Sequence, residues 1–312
     1  MILDIAIITV GFIFLWKGSE YFVTAAAEIA KRIGVSDLVI GLTLVSASTT
    51  LPEFMASVMA SHLGSGGIAV GNAVGSNITN IALILGTCMI IEGYSVEPLV
   101  LKRYGLTLLV VCLFFVVLIF NNISRIEGGI LLALFFLYLL ILSREKHTRR
   151  EIKEVSIELE DIQLEPAWKV MVEFVGGGVA IFVGARGLVG SALNIAMTLG
   201  VFESAIGATL VALGTSLPEF AVSLRALKED YEQISVGNIL GANTFNILWV
   251  VGFSALVHPL VLDANLLYFN IPVMLGITSL LLIFMRMGYK LKRWQGIVFL
   301  VLYIFFVVKN YV

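Results

Sequence analysis

Apolar residues run along this chain in blocks of about 20, the length a helix needs to cross the hydrocarbon core of a bilayer. Short clusters of charged and turn-forming residues part the blocks. Their pattern predicts ten spans, at about 3–30, 36–62, 67–92, 105–121, 125–143, 168–199, 204–226, 233–257, 266–286 and 293–309. The second, third, seventh and eighth are interrupted by Pro, Gly and small polar residues. Within lipid, freed backbone groups are tolerated only where they face protein or water, so these four spans are expected to line a pathway.

The pattern repeats itself. Gly34 and Gly200, Gly41 and Gly207, Glu53 and Glu219, and Asn80 and Asn246 all stand 166 residues apart, with no gap needed between them. In full, Gly41-Leu-Thr-Leu-Val-Ser-Ala-Ser-Thr-Thr-Leu-Pro-Glu53 matches Gly207-Ala-Thr-Leu-Val-Ala-Leu-Gly-Thr-Ser-Leu-Pro-Glu219. A second block, Gly71-Asn-Ala-Val-Gly-Ser-Asn-Ile-Thr-Asn80, matches Gly237-Asn-Ile-Leu-Gly-Ala-Asn-Thr-Phe-Asn246. Five spans per copy is an odd number, so the second copy must enter the membrane upside down, the inverted-repeat plan of many secondary transporters. The expected fold is therefore an all-α integral membrane protein of ten helices in two inverted repeats. These cover 1–143, with its motif region at 41–86, and 168–312, with its motif region at 207–252.

Composition agrees: 59% of the 312 residues are hydrophobic, 13% are charged and the mean hydropathy is +1.00, where soluble domains carry about a quarter charged residues. A net charge of −2 offers no basic patch for nucleic acid. Met1 is followed by apolar sequence with neither a basic n-region nor a small-residue cleavage site, so the first block reads as a span and not as a removable signal. Cys88 and Cys112 fall in apolar spans and read as small buried hydrophobes. Basic residues gather in one set of loops, from Lys31 and Arg32 through Lys102, Arg103, Arg144, Lys169 and Arg225 to Arg286 and Arg293. The opposite set holds Arg125 and Lys309. By the positive-inside rule the first set is cytoplasmic and both termini lie outside. The stretch 144–167 mixes both signs, with no EF-hand spacing, and reads as a solvated cytoplasmic linker.

An ionised carboxylate inside a span is costly unless paired, hydrated or bound to a cation, which marks intramembrane acids as functional. Glu53 and Glu219 each follow a proline, which frees an upstream carbonyl, and each follows two hydroxyl residues, Thr49 and Thr50 or Thr215 and Ser216. Carboxylate, hydroxyl, carbonyl and amide oxygens are the ligands of hard cations such as calcium, and Asn80 and Asn246 could add amides from the third and eighth spans. An alternative role for those amides is hydrogen bonding between helices. The histidines, His62, His147 and His258, stand at span ends or in a loop, and no Cys-His spacing suggests a transition metal. Lys17, Glu20, Glu28, Glu173 and Arg186, on the first and sixth spans, lack clustered neutral oxygens and read as structural charges that snorkel or pair. Gly176-Gly177-Gly178 reads as a packing or sliding surface.

At these motifs the chain resembles the calcium/cation antiporter superfamily, in its prokaryotic sodium/calcium exchanger branch, whose two alpha-repeats read G-T-S-L-P-E followed by G-N-x-x-G-S-N. Gly214-Thr215-Ser216-Leu217-Pro218-Glu219 keeps the first motif intact, and the other copy reads Ser48-Thr49-Thr50-Leu51-Pro52-Glu53. The resemblance covers essentially the whole chain. It implies that Glu53, Glu219, Thr49 and Thr215 hold calcium. It also implies that both glutamates, Thr50, Ser216, Ser76 and the carbonyls of Ser46 and Ala212 hold sodium, with Asn80 and Asn246 lining the middle. Two positions depart from relatives: Ala242 stands for a serine, and Asn246 for an acid found in some of them, the acid associated with potassium coupling.

The expected activity is secondary-active exchange of sodium for calcium by alternating access in a prokaryotic cell membrane, with no enzymatic step, no cofactor and no obligatory protein partner. A proton/calcium antiporter is the alternative, since protons also neutralise glutamates. A cation channel is a remoter one, because it needs no inverted repeat with interrupted spans in both halves. An intramembrane protease ranks last, because no histidine lies near the hydroxyl residues to activate a nucleophile.

Overall fold

The computed structural model describes residues 2–32, 37–96, 98–119, 122–144, 165–228 and 232–312; within its helices some side chains, those of 37–48, 232–235 and Asn238 among them, lie outside that description. Almost all of the 144–167 linker also lies outside it. The first half holds α1 (Ile2–Arg32), α2 (Asp37–His62), α3 (Gly66–Ile91), α4 (Pro98–Val100 running on through Leu101–Leu118) and α5 (Arg125–Arg144). The second holds α6 (Ala167–Leu199), α7 (Glu203–Thr215 and Leu217–Lys228), α8 (Glu232–Phe245 continuing through Asn246–Val251 and Gly252–Val257), α9 (Leu266–Arg286) and α10 (Arg293–Lys309). Among the described residues, seven helices are long and apolar enough to cross a bilayer, or eight if the bent pair in α7 is one span.

The 166-residue offset seen in the sequence recurs in the helix boundaries. Asp37–His62 and Glu203–Lys228 match at both ends, as do Gly86–Ile91 and Gly252–Val257. Even the widened π-helical stretches recur, at Thr79–Leu85 in α3 and Asn246–Val251 in α8, and at Leu101–Gly105 in α4 and Leu266–Asn270 in α9. Such widened turns are uncommon and concentrate at functional positions. The fourth helix begins before the predicted residue 105 and ends at Leu118, short of the predicted 121. Four two-residue strands also qualify the all-helical expectation: β1 (Tyr94–Ser95) pairs with β4 (Lys290–Leu291), and β2 (Asn122–Ile123) with β3 (Leu260–Val261). Each pair is antiparallel and ties one half of the chain to the other.

The halves interlock around α3 and α8, where 78% and 83% of the span residues are buried, against 22% in α5. The two longest helices, α1 and α6, lie along one another. A Cβ on Gly18 would sit 3.0 Å from the Gly177 carbonyl oxygen and one on Gly177 2.8 Å from that of Gly18; Gly11 and Gly184 repeat the arrangement at 3.0 and 2.8 Å. Gly11 pairs in sequence with Gly177, and Gly18 with Gly184, so the contact is its own mirror across the repeat. Lipid supplies no hydrophobic force to join helices, and small residues let backbones approach closely enough for dispersion to do so. The charges on α1 behave as structural ones: Lys17 pairs with Glu20 at 2.7 Å, and buried Glu28 with Arg32 at 2.6 Å. The Glu28 carboxylate also accepts the backbone N–H of Glu165 at 2.8 Å, where the chain enters α6.

Candidate functional site

The centre of the molecule is an asparagine layer where α3 meets α8. The amide of Asn77 donates to the backbone carbonyl of Asn243 at 3.1 Å, and the amide of Asn243 returns a bond to the carbonyl of Asn77 at 3.3 Å. Asn80 donates to the side-chain oxygen of Asn243 at 2.9 Å, and Asn246 to that of Asn77 at 3.1 Å. Asn77 and Asn243, like Asn80 and Asn246, are 166 residues apart. The four bonds are thus two bonds repeated, and both copies of the motif meet face to face. Of the two roles the sequence left open for Asn80 and Asn246, hydrogen bonding between helices is the one seen here. Each amide nitrogen joins helices, while each side-chain oxygen is buried without a hydrogen-bond partner among the described residues.

α2 and α7 bring the carboxylates to this layer. Glu53 and Glu219 are 0% and 1% exposed and close enough for their charges to act on one another. In α7 the helix stops at Thr215, Ser216 takes φ −83 and ψ 7, and the chain resumes from Leu217 after a 42° bend. Pro218 has no N–H to return to the last turn, which favours a break. α2 instead runs unbroken through Pro52. The hydroxyl of Ser216 donates to Glu53 Oε1 at 3.1 Å, so Glu53 is served from the other half of the chain. Thr49 lies beside Glu219, as Thr215 does beside Glu53.

A residue the sequence reading passed over holds these parts in register. The amide of Asn72, in α3, donates to the backbone carbonyl of Glu53 at 3.1 Å and to Ser57 Oγ at 3.0 Å, while its oxygen lies 3.1 Å from the hydroxyl of Thr215. Its recurrence as Asn238 in the second motif was the available signal.

Buried oxygens remain over after this bonding: Glu53 Oε2, Glu219 Oε2, Thr49 Oγ1, Ser76 Oγ, Asn80 Oδ1 and Asn246 Oδ1 have no hydrogen-bond partner among the described residues. Unsatisfied buried polar atoms are rare and costly, and a set made of oxygens alone is the donor set of a hard cation. No group of three or more His, Cys, Asp or Glu suited to other metals occurs among the described residues. Thr50 is fully buried, and the Ala212 carbonyl accepts the Ser216 N–H at 3.1 Å. Ser46 lies outside the residues whose side chains are described.

Where α3 passes α7, a Cβ on Gly71 would meet Ser204 O at 2.8 Å, and one on Gly75 would overlap the backbone of Ala208.

Comparison with known proteins now decides the family. The family model described as sodium/calcium exchanger protein matches residues 3–144 and 169–312. This chain belongs to the sodium/calcium exchanger family. The sodium/calcium exchanger MaX1 of Methanosarcina acetivorans is 35% identical over 97% of both chains, and the putative antiporter CaxA of Alkalimonas amylolytica 35% identical over 94% of this chain and 93% of its own. The solved structure of the sodium-calcium exchanger NCX_Mj soaked with Na+ and Ca2+ matches with a TM-score of 0.64 and 34% identity, over 98% of this chain and 97% of that one. As a family member the chain is a calcium/cation antiporter, a membrane transporter of ions. The exchanger motifs are the segments that meet at the asparagine layer.

Proposed function

We propose that the chain exchanges sodium for calcium across the cell membrane by alternating access, as ten transmembrane helices in two inverted repeats spanning 1–143 and 168–312. The observation that carries this reading is the pair of fully buried, repeat-related carboxylates, each with one oxygen left without a partner. Calcium would sit between Glu53 and Glu219, with Thr49 and Thr215 beside it. Sodium would use the same carboxylates together with Thr50, Ser216, Ser76, Asn80, Asn246 and the carbonyls of Ser46 and Ala212. The ions are cargo, and no resident cofactor enters the cycle.

Energetics make the coupling obligatory. Two uncompensated carboxylates are far costlier to carry through a low-dielectric barrier than neutralised ones, so α1 and α6 are free to move past the core only when cations are bound. One calcium balances the two charges, whereas three sodium ions would leave one excess positive charge, which weakly screening surroundings penalise.

The rival is proton coupling. In vesicles loaded with sodium and held at constant pH, calcium uptake is expected to follow the sodium gradient and to vanish when that gradient is collapsed. Uptake driven by a pH gradient without sodium would replace this reading with the proton one. The distribution of basic residues supports a topology with both termini outside, and a reporter fused after Val312 is expected to be active on the external face. Cytoplasmic activity would invert the topology.

A further inference from the structure

The second, third, seventh and eighth helices absorb most of the chemistry above, yet α9 carries buried polar groups that the exchange site does not use. Asn270 is 0% exposed, and neither its amide nitrogen nor its oxygen has a partner among the described residues. Thr278 is equally buried and its hydroxyl is also unpartnered. Thr9, Thr107, Thr198, Thr209 and Thr244 all donate to the carbonyl four residues back. Thr278 forgoes that bond, so its hydroxyl serves something outside its own helix.

Asn270, Met274 and Thr278 follow at spacings of four and so share one side of α9. The direction of that side is fixed by Met274, whose sulfur lies 3.7 Å from the amide of Asn77 in the asparagine layer. The first half of the chain has Tyr104, Leu108 and Cys112 at the matching positions, with Leu108 and Cys112 also fully buried. At the Thr278 position the fold therefore needs a buried residue but not a hydroxyl.

We infer that α9 holds bound water beside the asparagine layer, at one position on Asn270 and another on Thr278, with Met274 between them. Water suits Asn270 where a cation does not. It can accept from the amide nitrogen and donate to the oxygen, whereas a cation would satisfy the oxygen alone. Buried water of this kind typically makes about three hydrogen bonds to otherwise unsatisfied groups. Eight residues of helix separate the two groups by about 12 Å, too far for one molecule to serve both. The water positions stand on this geometry; their use in transport, to let a cation at the asparagine layer keep part of its hydration shell, rests on the exchange reading.

Radiolytic footprinting of the full-length protein tests the water directly, because radicals formed from bound water oxidise the nearest side chain and methionine is readily oxidised. Met274 and Met285 are both 0% exposed, and Met287 is 55% exposed. Met274 is expected to oxidise at least about tenfold faster than Met285 and within a few-fold of Met287. Chloramine-T, too large for a single-water site, should oxidise Met287 and spare Met274. Asn270→Leu combined with Thr278→Val should bring Met274 down to the rate of Met285. Oxidation of Met274 as slow as that of Met285 in the unmodified protein overturns the proposal, whatever the variant does. Attack by chloramine-T would make the space an open cavity, and an unchanged rate in the double variant would remove Asn270 and Thr278 as the water's hosts. The readout involves no flux, so a protein that exchanges protons in place of sodium would leave it unaltered.

Discussion

Glu53→Gln and Glu219→Gln are each expected to lower calcium-dependent sodium flux in vesicles by at least about a hundredfold while leaving the protein folded. Glutamine keeps the length of the side chain and one oxygen, and loses only the charge. At an effective dielectric near 20, a unit charge about 4 Å from another contributes about 4 kcal/mol, and about 1.4 kcal/mol is a factor of ten. Removing one of two carboxylates from a divalent ion therefore exceeds the stated loss. Stability should move the other way. Glu53 Oε2 and Glu219 Oε2 have no partner among the described residues, so neutralising either relieves an uncompensated buried charge, and the melting temperature in ion-free buffer should hold or rise. Full exchange by either variant would remove that glutamate from the site. Failure of one variant with tolerance of the other would show that the repeats are unequal in function despite their matching motifs.

Much of this arrangement can be read from the sequence because the repeat is ungapped. Once Glu53 and Glu219 are aligned at an offset of 166, the ends of α2 and α7 and the glycine crossing of α1 and α6 follow the same register, and the widened turns follow it to within a residue. The reciprocal bonds between Asn77 and Asn243 could not be read, because a matching motif says that two residues are equivalent and not that the symmetry axis runs between them. The two-residue strands escaped for lack of length, since alternation needs several residues to register. The most instructive miss concerns α2 and α7. Leu51-Pro52-Glu53 and Leu217-Pro218-Glu219 are the same tripeptide, yet one helix runs on and the other bends by 42°. The shared tripeptide cannot choose between those outcomes, so the choice belongs to the residues before it, Ser48-Thr49-Thr50 against Gly214-Thr215-Ser216, and to what packs around them.

Phe12 is the neighbour that bears on that choice, and a substitution opposite it is expected to have the second-largest effect. A Cβ placed on Gly214 would overlap the ring of Phe12. This puts α1 in direct contact with the turn that leads into Thr215, Ser216 and Glu219. Overpacking a fitted contact costs about 1–3 kcal/mol, so Gly214→Ala is expected to slow exchange by about tenfold to a hundredfold, read as calcium-dependent sodium flux. Phe12→Ala alone should have a modest effect, and Phe12→Ala combined with Gly214→Ala should return to within a few-fold of Phe12→Ala. A double variant as slow as Gly214→Ala would place the damage inside α7 and not at its contact with α1. The repeat supplies its own precedent for the rescue. The counterpart of Gly214 is Ser48, and the counterpart of Phe12 is Gly178, so the half that carries the larger residue on the site helix carries the glycine on the long helix. In sequence, bulk at these two positions is traded between the repeats, the pattern expected where one helix must pass another without losing contact with the residues that hold the ion.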